Sequence, residues 1–243
     1  MASFSTENLK AVFAFPFKDE EWQSKFTIAL LLTLGSILIV PWWLLLGYTH
    51  ELMRRIILDG EEPGLPEWDR WGEYLIDGLK LFAIGLVYNL PVIILIYISY
   101  YCAASSLDLS EFYNSHDLTF LWLFILVGIG LLVVALLLST ISTVITFAAI
   151  GHMIAKQNFW SAFDIRGWWP ILWNNRQEYF LSFTLLVGTY WMTTFASQFL
   201  FLSLLCCLYP VFLAAAFAYL SLTSGGLYAL AYRAGAANAS KRV

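Results

Sequence analysis

The sequence predicts an all-α integral membrane protein: a helical bundle of four transmembrane spans plus an N-terminal re-entrant hairpin or fifth span, with two amphipathic helices in the cytoplasmic-side interface. Three observations carry this. Hydrophobic residues make up 60% of the 243 and charged residues 12%, where soluble domains carry about 25% charged residues. The mean hydropathy is +0.72. All 13 Lys and Arg fall in four groups: Lys10/Lys18/Lys25, Arg54/Arg55/Arg70/Lys80, Lys156/Arg166/Arg176 and Arg233/Lys241/Arg242. The gaps 81–155 and 177–232 hold none, and each has room for two crossings of about 20 residues. Basic residues near membrane ends stay inside. All four groups, and the C-terminus, are therefore expected on the cytoplasmic side.

The whole of 1–243 reads as a single polytopic domain. Residues 1–25 are an interfacial segment in which Phe13, Phe15, Phe17 and Trp22 alternate with Lys18, Asp19, Glu20, Glu21 and Lys25. No basic region followed by an apolar run and a small-residue cleavage site opens the chain, so no cleaved signal is expected. Residues 26–58 are either a hairpin of short helices that dips in and returns, or a first span. The run Phe26–Leu46 could cross once, but one crossing would put Lys25 opposite Arg54, and Gly35-Ser36 and Pro41 interrupt the run. The hairpin is the favoured reading.

Residues 59–79 predict an inner amphipathic helix, because Trp68, Trp71, Leu75 and Leu79 recur at helical spacing and Glu67, Asp69, Arg70, Glu73 and Asp77 fill the other faces. Residues 80–101, 119–150, 179–204 and 209–232 predict the four spans. An outer loop, 102–118, joins the first two. Residues 158–178, with Trp160, Trp168, Trp169 and Trp173, predict the second inner interfacial segment. A weak repeat links Gly47-Tyr48 with Arg54, Gly151-His152 with Lys156, and Gly226-Leu227-Tyr228 with Arg233.

Candidate chemistry is sparse. Asp and Glu are absent from 81–107, 118–163 and 179–243, whereas ion-coupled transporters place ionisable groups in their spans. A pump, proton relay or charge-selective pore is therefore not expected. Asn89, Gln198, Ser139 and Thr143 could form an intramembrane polar site, but helix packing by small polar residues is the commoner use of such groups. His50 and His152 follow inner-end glycines and are candidate pigment or haem ligands, with interfacial hydrogen bonding as the plainer role. Cys102, Cys206 and Cys207 lack metal-ligand spacing; Cys102 could pair with Cys206 or Cys207, or all three could be free thiols. No cofactor is implied, no like-charge block suggests nucleic acid, and no nucleophile elbow or P-loop suggests an enzyme.

Phe15-Pro16-Phe17 with Asp19, Trp22 and Lys25, then Gly47-Tyr48 with Arg54, then Leu65-Pro66-Glu67-Trp68-Asp69 and Asp77-Gly78-Leu79-Lys80, resemble an uncharacterised prokaryotic membrane family, domain of unknown function 4013. The resemblance implies an all-helical polytopic protein in a prokaryotic inner membrane or another energy-transducing membrane. It implies no activity. The expected function is a non-enzymatic accessory or scaffolding subunit of a larger membrane complex. Its partners would be the lipid bilayer and one or more membrane proteins, contacted through Trp68, Trp71, Trp168, Trp169 and Trp173. A carrier or scramblase for lipid or another apolar molecule is the alternative, and a pigment- or haem-binding subunit the third.

Overall fold

A computed structural model describes residues 6–112, 119–202 and 206–240, and every regular element among them is helical. The main helices are α1 (Thr6–Ala14), α2 (Trp22–Leu34), α3 (Val40–Arg54), α4 (Trp71–Phe112), α5 (Thr119–Lys156), α6 (Ile165–Asn174), α7 (Arg176–Leu202) and α8 (Tyr209–Ser240). Short 3-10 turns occur at Phe15–Phe17, Gly35–Leu38, Phe159–Phe163 and Cys206–Leu208, and a π turn at Arg55–Asp59. Among the described residues, three segments are long and apolar enough to cross a membrane: Trp71–Ser105, Trp122–Lys156 and Tyr209–Ala239. α7 is not among them. Its apolar run is diluted by Thr184, Thr189, Tyr190, Trp191, Thr193 and Thr194.

The contacts divide the chain into two compact units, Met1–Ile84 with Phe147–Val243, and Gly85–Thr146.

The first unit is organised on α8, which packs against α1, α2, α3, α6 and α7. Small residues permit this. Ala218, Leu222, Leu227, Ala229 and Ala231 of α8 are buried, and a Cβ at Gly225 would meet Thr49 Cγ2 at 2.6 Å. α3 and the start of α4 cross closer still. A Cβ at Gly47 would lie 1.8 Å from Tyr74 O, and one at Gly78 would lie 1.7 Å from Trp43 O. Only glycine at both positions lets these backbones touch.

Residues 26–58 form two short helices. α2 ends at Gly35, the chain turns through Gly35–Leu38, and α3 starts with Pro41 in its first turn. Ile39, at the junction, has φ 60°, a costly conformation for a β-branched residue. α2 and α3 pack on each other, while the turn between them exposes Ile37 (91%), Leu38 and Ile39.

The expected amphipathic helix at 59–79 takes a different form. Residues 60–70 are non-helical, and the helix begins at Trp71 and continues unbroken into the apolar part of α4. Pro66 sits in the extended stretch rather than at a helix start. The reason is tertiary: the side chains of 65–69 are engaged elsewhere in the unit, as described below.

The second unit is an antiparallel pairing of the remaining parts of α4 and α5. Ser99 Oγ donates to Gly128 O at 2.7 Å, and Ser142 Oγ lies 3.0 Å from both Tyr88 O and Asn89 Oδ1. The buried residues are Val92 and Ser99 on one helix and Gly128, Ala135, Ser142 and Thr146 on the other. Positions 128, 135 and 142 recur every seven residues, as do 92 and 99, which is the repeat of a left-handed helix pair. The other faces expose apolar side chains, among them Leu86, Ile94, Leu126 and Leu137.

Candidate functional site

Two arrangements in the first unit carry its chemistry: a charge network built on the Leu65–Asp69 stretch, and a polar cavity beside it.

The network starts from Glu51. Its side chain is 6% exposed and is surrounded by three arginines. Arg54 donates through Nε and Nη2 at 2.8 and 3.0 Å, Arg55 through Nε at 3.2 Å, and Arg70 through Nη2. Burial alone would push this carboxyl up, but the hydrogen bonds from Arg54, Arg55 and Arg70 outweigh it and hold the pKa at about 2. Arg54 and Arg55 come from the next turn of the helix, whereas Arg70 arrives from the stretch preceding α4.

Leu65–Asp69 braces three elements. Leu65 is buried. Tyr48 Oη donates to Pro66 O at 2.7 Å. Glu67 pairs with Lys25 Nζ, which also binds Asp19 Oδ2 at 2.7 Å, and Tyr74 Oη donates to Glu67 O. Hydrogen bonding from Lys25 holds the Asp19 carboxyl below its usual range. Trp68 stacks on Tyr48 with centroids 3.9 Å apart and planes within 4°, and its Nε1 donates to Lys25 O at 3.1 Å.

The cavity measures about 310 Å³ and is lined by His50, Arg54, Asp77, Lys80, Gln157 and Asn158, with Leu58, Met153, Ile154 and Phe159 as its apolar wall. Lys80 Nζ binds Asp77 Oδ1 at 2.7 Å. His50 Nδ1 is 3.4 Å from Asp77 Oδ2 and is buried without a hydrogen-bond partner. α5 ends here in a Schellman arrangement. Gln157 N bonds Ile154 O at 3.1 Å, and Asn158 N bonds Met153 O at 3.3 Å. The position that normally takes glycine is Gln157, at φ 50°, so a polar side chain is held on the cavity at a conformational cost.

The other expected residues are distributed as follows. His50 lines the cavity; His152 does not. His152 is buried, with Nδ1 2.9 Å from Tyr232 Oη. No cluster of three or more His, Cys, Asp or Glu able to hold a metal occurs among the described residues. Trp168 is 2% exposed and donates to Ala162 O, and the Trp68 ring is covered by Tyr48. The Trp168 ring is thus engaged inside the fold, while Trp68 is half-buried under Tyr48. Trp71, Trp160, Trp169 and Trp173 are exposed. Trp169 stacks on Trp173 at 6.0 Å, with the Arg176 guanidinium 5.2 Å from the Trp173 ring.

Asn89 is used in packing: Nδ2 donates to Gly85 O at 2.8 Å and Oδ1 faces Ser142. Ser139 bonds Leu136 O and Thr143 bonds Ser139 O, each on its own helix. Gln198 is exposed on α7. Cys102 and Cys207 are free, and the Cys206 side chain lies outside the described residues. Sequence reading missed Glu51 as a hub and the cavity altogether. The acid's proximity to Arg54 and Arg55 was visible, but nothing local points to Arg70.

A family model described as "Protein of unknown function (DUF4013)" matches residues 30–207. No curated protein and no solved structure matches.

Proposed function

The chain belongs to the DUF4013 family, and we propose that it is a non-enzymatic integral membrane subunit that scaffolds a larger membrane complex. The observation that carries this is how the fold uses its polar groups. Glu51 is taken by three arginines, Lys25 by Asp19 and Glu67, His152 by Tyr232, and Asn89 by Gly85 and Ser142. The broadest exposed apolar surfaces are the outer faces of Gly85–Thr146, and the Trp169–Trp173 stack adds an exposed aromatic one.

In this reading α4, α5, α7 and α8 cross the bilayer, and every Lys/Arg group lies on the cytoplasmic side of a prokaryotic inner membrane. The α2–α3 pair dips in with Ile37–Ile39 leading. Two helices of 13 and 15 residues are each too short to cross, since a span needs about 20 residues, and the exposed apolar turn suits lipid. Trp71, Trp160, Trp169 and Trp173 lie in the cytoplasmic-side interface and offer the partner contact. A carrier role has less support, because Asn89 is committed to Gly85 and Ser142 and Ser139 and Thr143 bond carbonyls of their own helix.

Tagged purification from native membranes in mild detergent, with mass spectrometry of co-eluting proteins, tests the proposal. A stoichiometric membrane partner, lost in a Trp169→Ala/Trp173→Ala variant, is the expected result. A homogeneous lone protein that moves labelled lipid between reconstituted leaflets would replace the scaffold reading with the carrier.

A further inference from the structure

We propose that the cavity between His50, Asp77, Lys80 and Gln157 binds a zwitterionic headgroup: a phosphate with a primary ammonium two carbons away, as in phosphoethanolamine. The cavity carries both signs of charge. Arg54 engages Glu51 through Nε and Nη2, which leaves Nη1 for a ligand. Lys80 uses one of its three donors on Asp77. Arg54, and Lys80 paired with Asp77 at 2.7 Å, set both signs of charge side by side in one wall, which matches a phosphate beside an ammonium. A bare anion would face Asp77 unfavourably, and a bare cation would face Arg54 and Lys80.

A second observation points the same way. His50 Nδ1 belongs to a residue that lines the cavity and is buried with Asp77 Oδ2 3.4 Å away, longer than a well-formed hydrogen bond, so it is left incompletely satisfied. A phosphate oxygen or ammonium hydrogen would satisfy it in the corresponding tautomer. Gln157, kept at φ 50° where glycine would be easier, adds an amide to the same wall. Leu58, Ile154 and Phe159 offer an apolar side to whatever is attached beyond the phosphate.

The site lies beside Lys80 and close to Lys156, which bound the stretch 81–155 that holds no Lys or Arg. With the membrane placement proposed above, on which this inference rests, it sits at the depth of inner-leaflet headgroups. The source is then a phospholipid, although a water-soluble phosphate ester has the same chemistry.

Native mass spectrometry of the full chain in detergent tests this, with phosphatidylethanolamine, phosphatidylcholine and phosphatidylglycerol of identical acyl chains. The expected result is about tenfold tighter retention of phosphatidylethanolamine than of the other two, the size of one lost charge-assisted hydrogen bond. Asp77→Asn should remove that preference, and Lys80→Met should weaken all three lipids alike, with helicity by circular dichroism unchanged in both. Competition by O-phosphoethanolamine at micromolar concentration would assign the site to a soluble ester; its failure to compete would assign it to lipid. Equal retention of the three lipids by the wild type, or a preference that survives Asp77→Asn, overturns the proposal. Absence of a protein partner would leave these outcomes unchanged, so this site and the scaffold reading fail separately.

Discussion

The unit formed by Met1–Ile84 and Phe147–Val243 joins its helices with charge, stacked rings and glycine crossings. Among the described residues, Gly85–Thr146 joins two helices with small residues, serine hydroxyls and the Asn89 amide, without ion pairs. In the first, Glu51 draws Arg70 across from another segment and Lys25 draws Glu67. In the second, a heptad-spaced seam of Gly128, Ala135 and Ser142 faces Val92 and Ser99. On the membrane placement proposed above, the difference follows from solvent. Water can solvate the half-exposed ends of ion pairs, while in hydrocarbon close van der Waals approach and internal hydrogen bonds are what remain.

The contrast is broken most severely at the backbone crossing of the first unit. Gly78→Leu would drive a side chain into Trp43 O, and no folded protein is expected in detergent by size-exclusion chromatography. Gly85→Ala, on the same helix with nothing within 4 Å of the added carbon, should be neutral or stabilise by roughly 0.5–1 kcal/mol.

Glu51→Gln comes next. It leaves three arginines around a neutral group, and because those arginines are about one-third exposed the loss should be about 2–3 kcal/mol, below the full cost of a broken buried pair. The folded carboxyl titrates near 2 against an ordinary 4.5. Its stabilisation is therefore complete above 4.5 and lost as pH falls from there toward 2. Thermal melts of the wild type should show that acid limb, and melts of Glu51→Gln should show a shallower one, because the lowered Asp19 and Asp77 carboxyls still contribute to it.

Smaller effects are expected in the second unit. Ser99→Ala removes one interhelical hydrogen bond and should cost about 0.6 kcal/mol, with no pH dependence. An acid limb in the Ser99→Ala difference curve would erase the distinction between the units.

Helical class, the long apolar stretches and the family were legible because they depend on composition and on motifs close in sequence. Lys80 and Lys156 marked where the apolar runs of α4 and α5 end. The role of Trp68 was not legible. Its spacing with Trp71 fits a helix face, but a stack on Tyr48 and a Lys25–Glu67 pair formed across 42 positions hold it in an extended stretch, and tertiary contacts override local pattern there. Trp168 was read as interfacial for the same reason, whereas its ring is buried against the Phe159–Phe163 turn. The repeat at Gly47 and Gly151 was visible. Its structural content is that each glycine admits a neighbouring helix, α4 at Tyr74 and α8 at Tyr232. The cavity could not be read, because its lining comes from α3, α4 and the end of α5.

The most direct test is labelling of single cysteines, in a background with Cys102, Cys206 and Cys207 replaced by serine. Glu62→Cys places the probe in the charged unit, and Leu137→Cys on the open apolar face of Gly85–Thr146. The account predicts that a membrane-impermeant maleimide reaches position 62 only in inverted vesicles. It should reach position 137 in neither orientation, although a lipid-soluble maleimide reacts there. Rapid labelling of position 137 by the impermeant reagent, or of position 62 from outside intact cells, would contradict it.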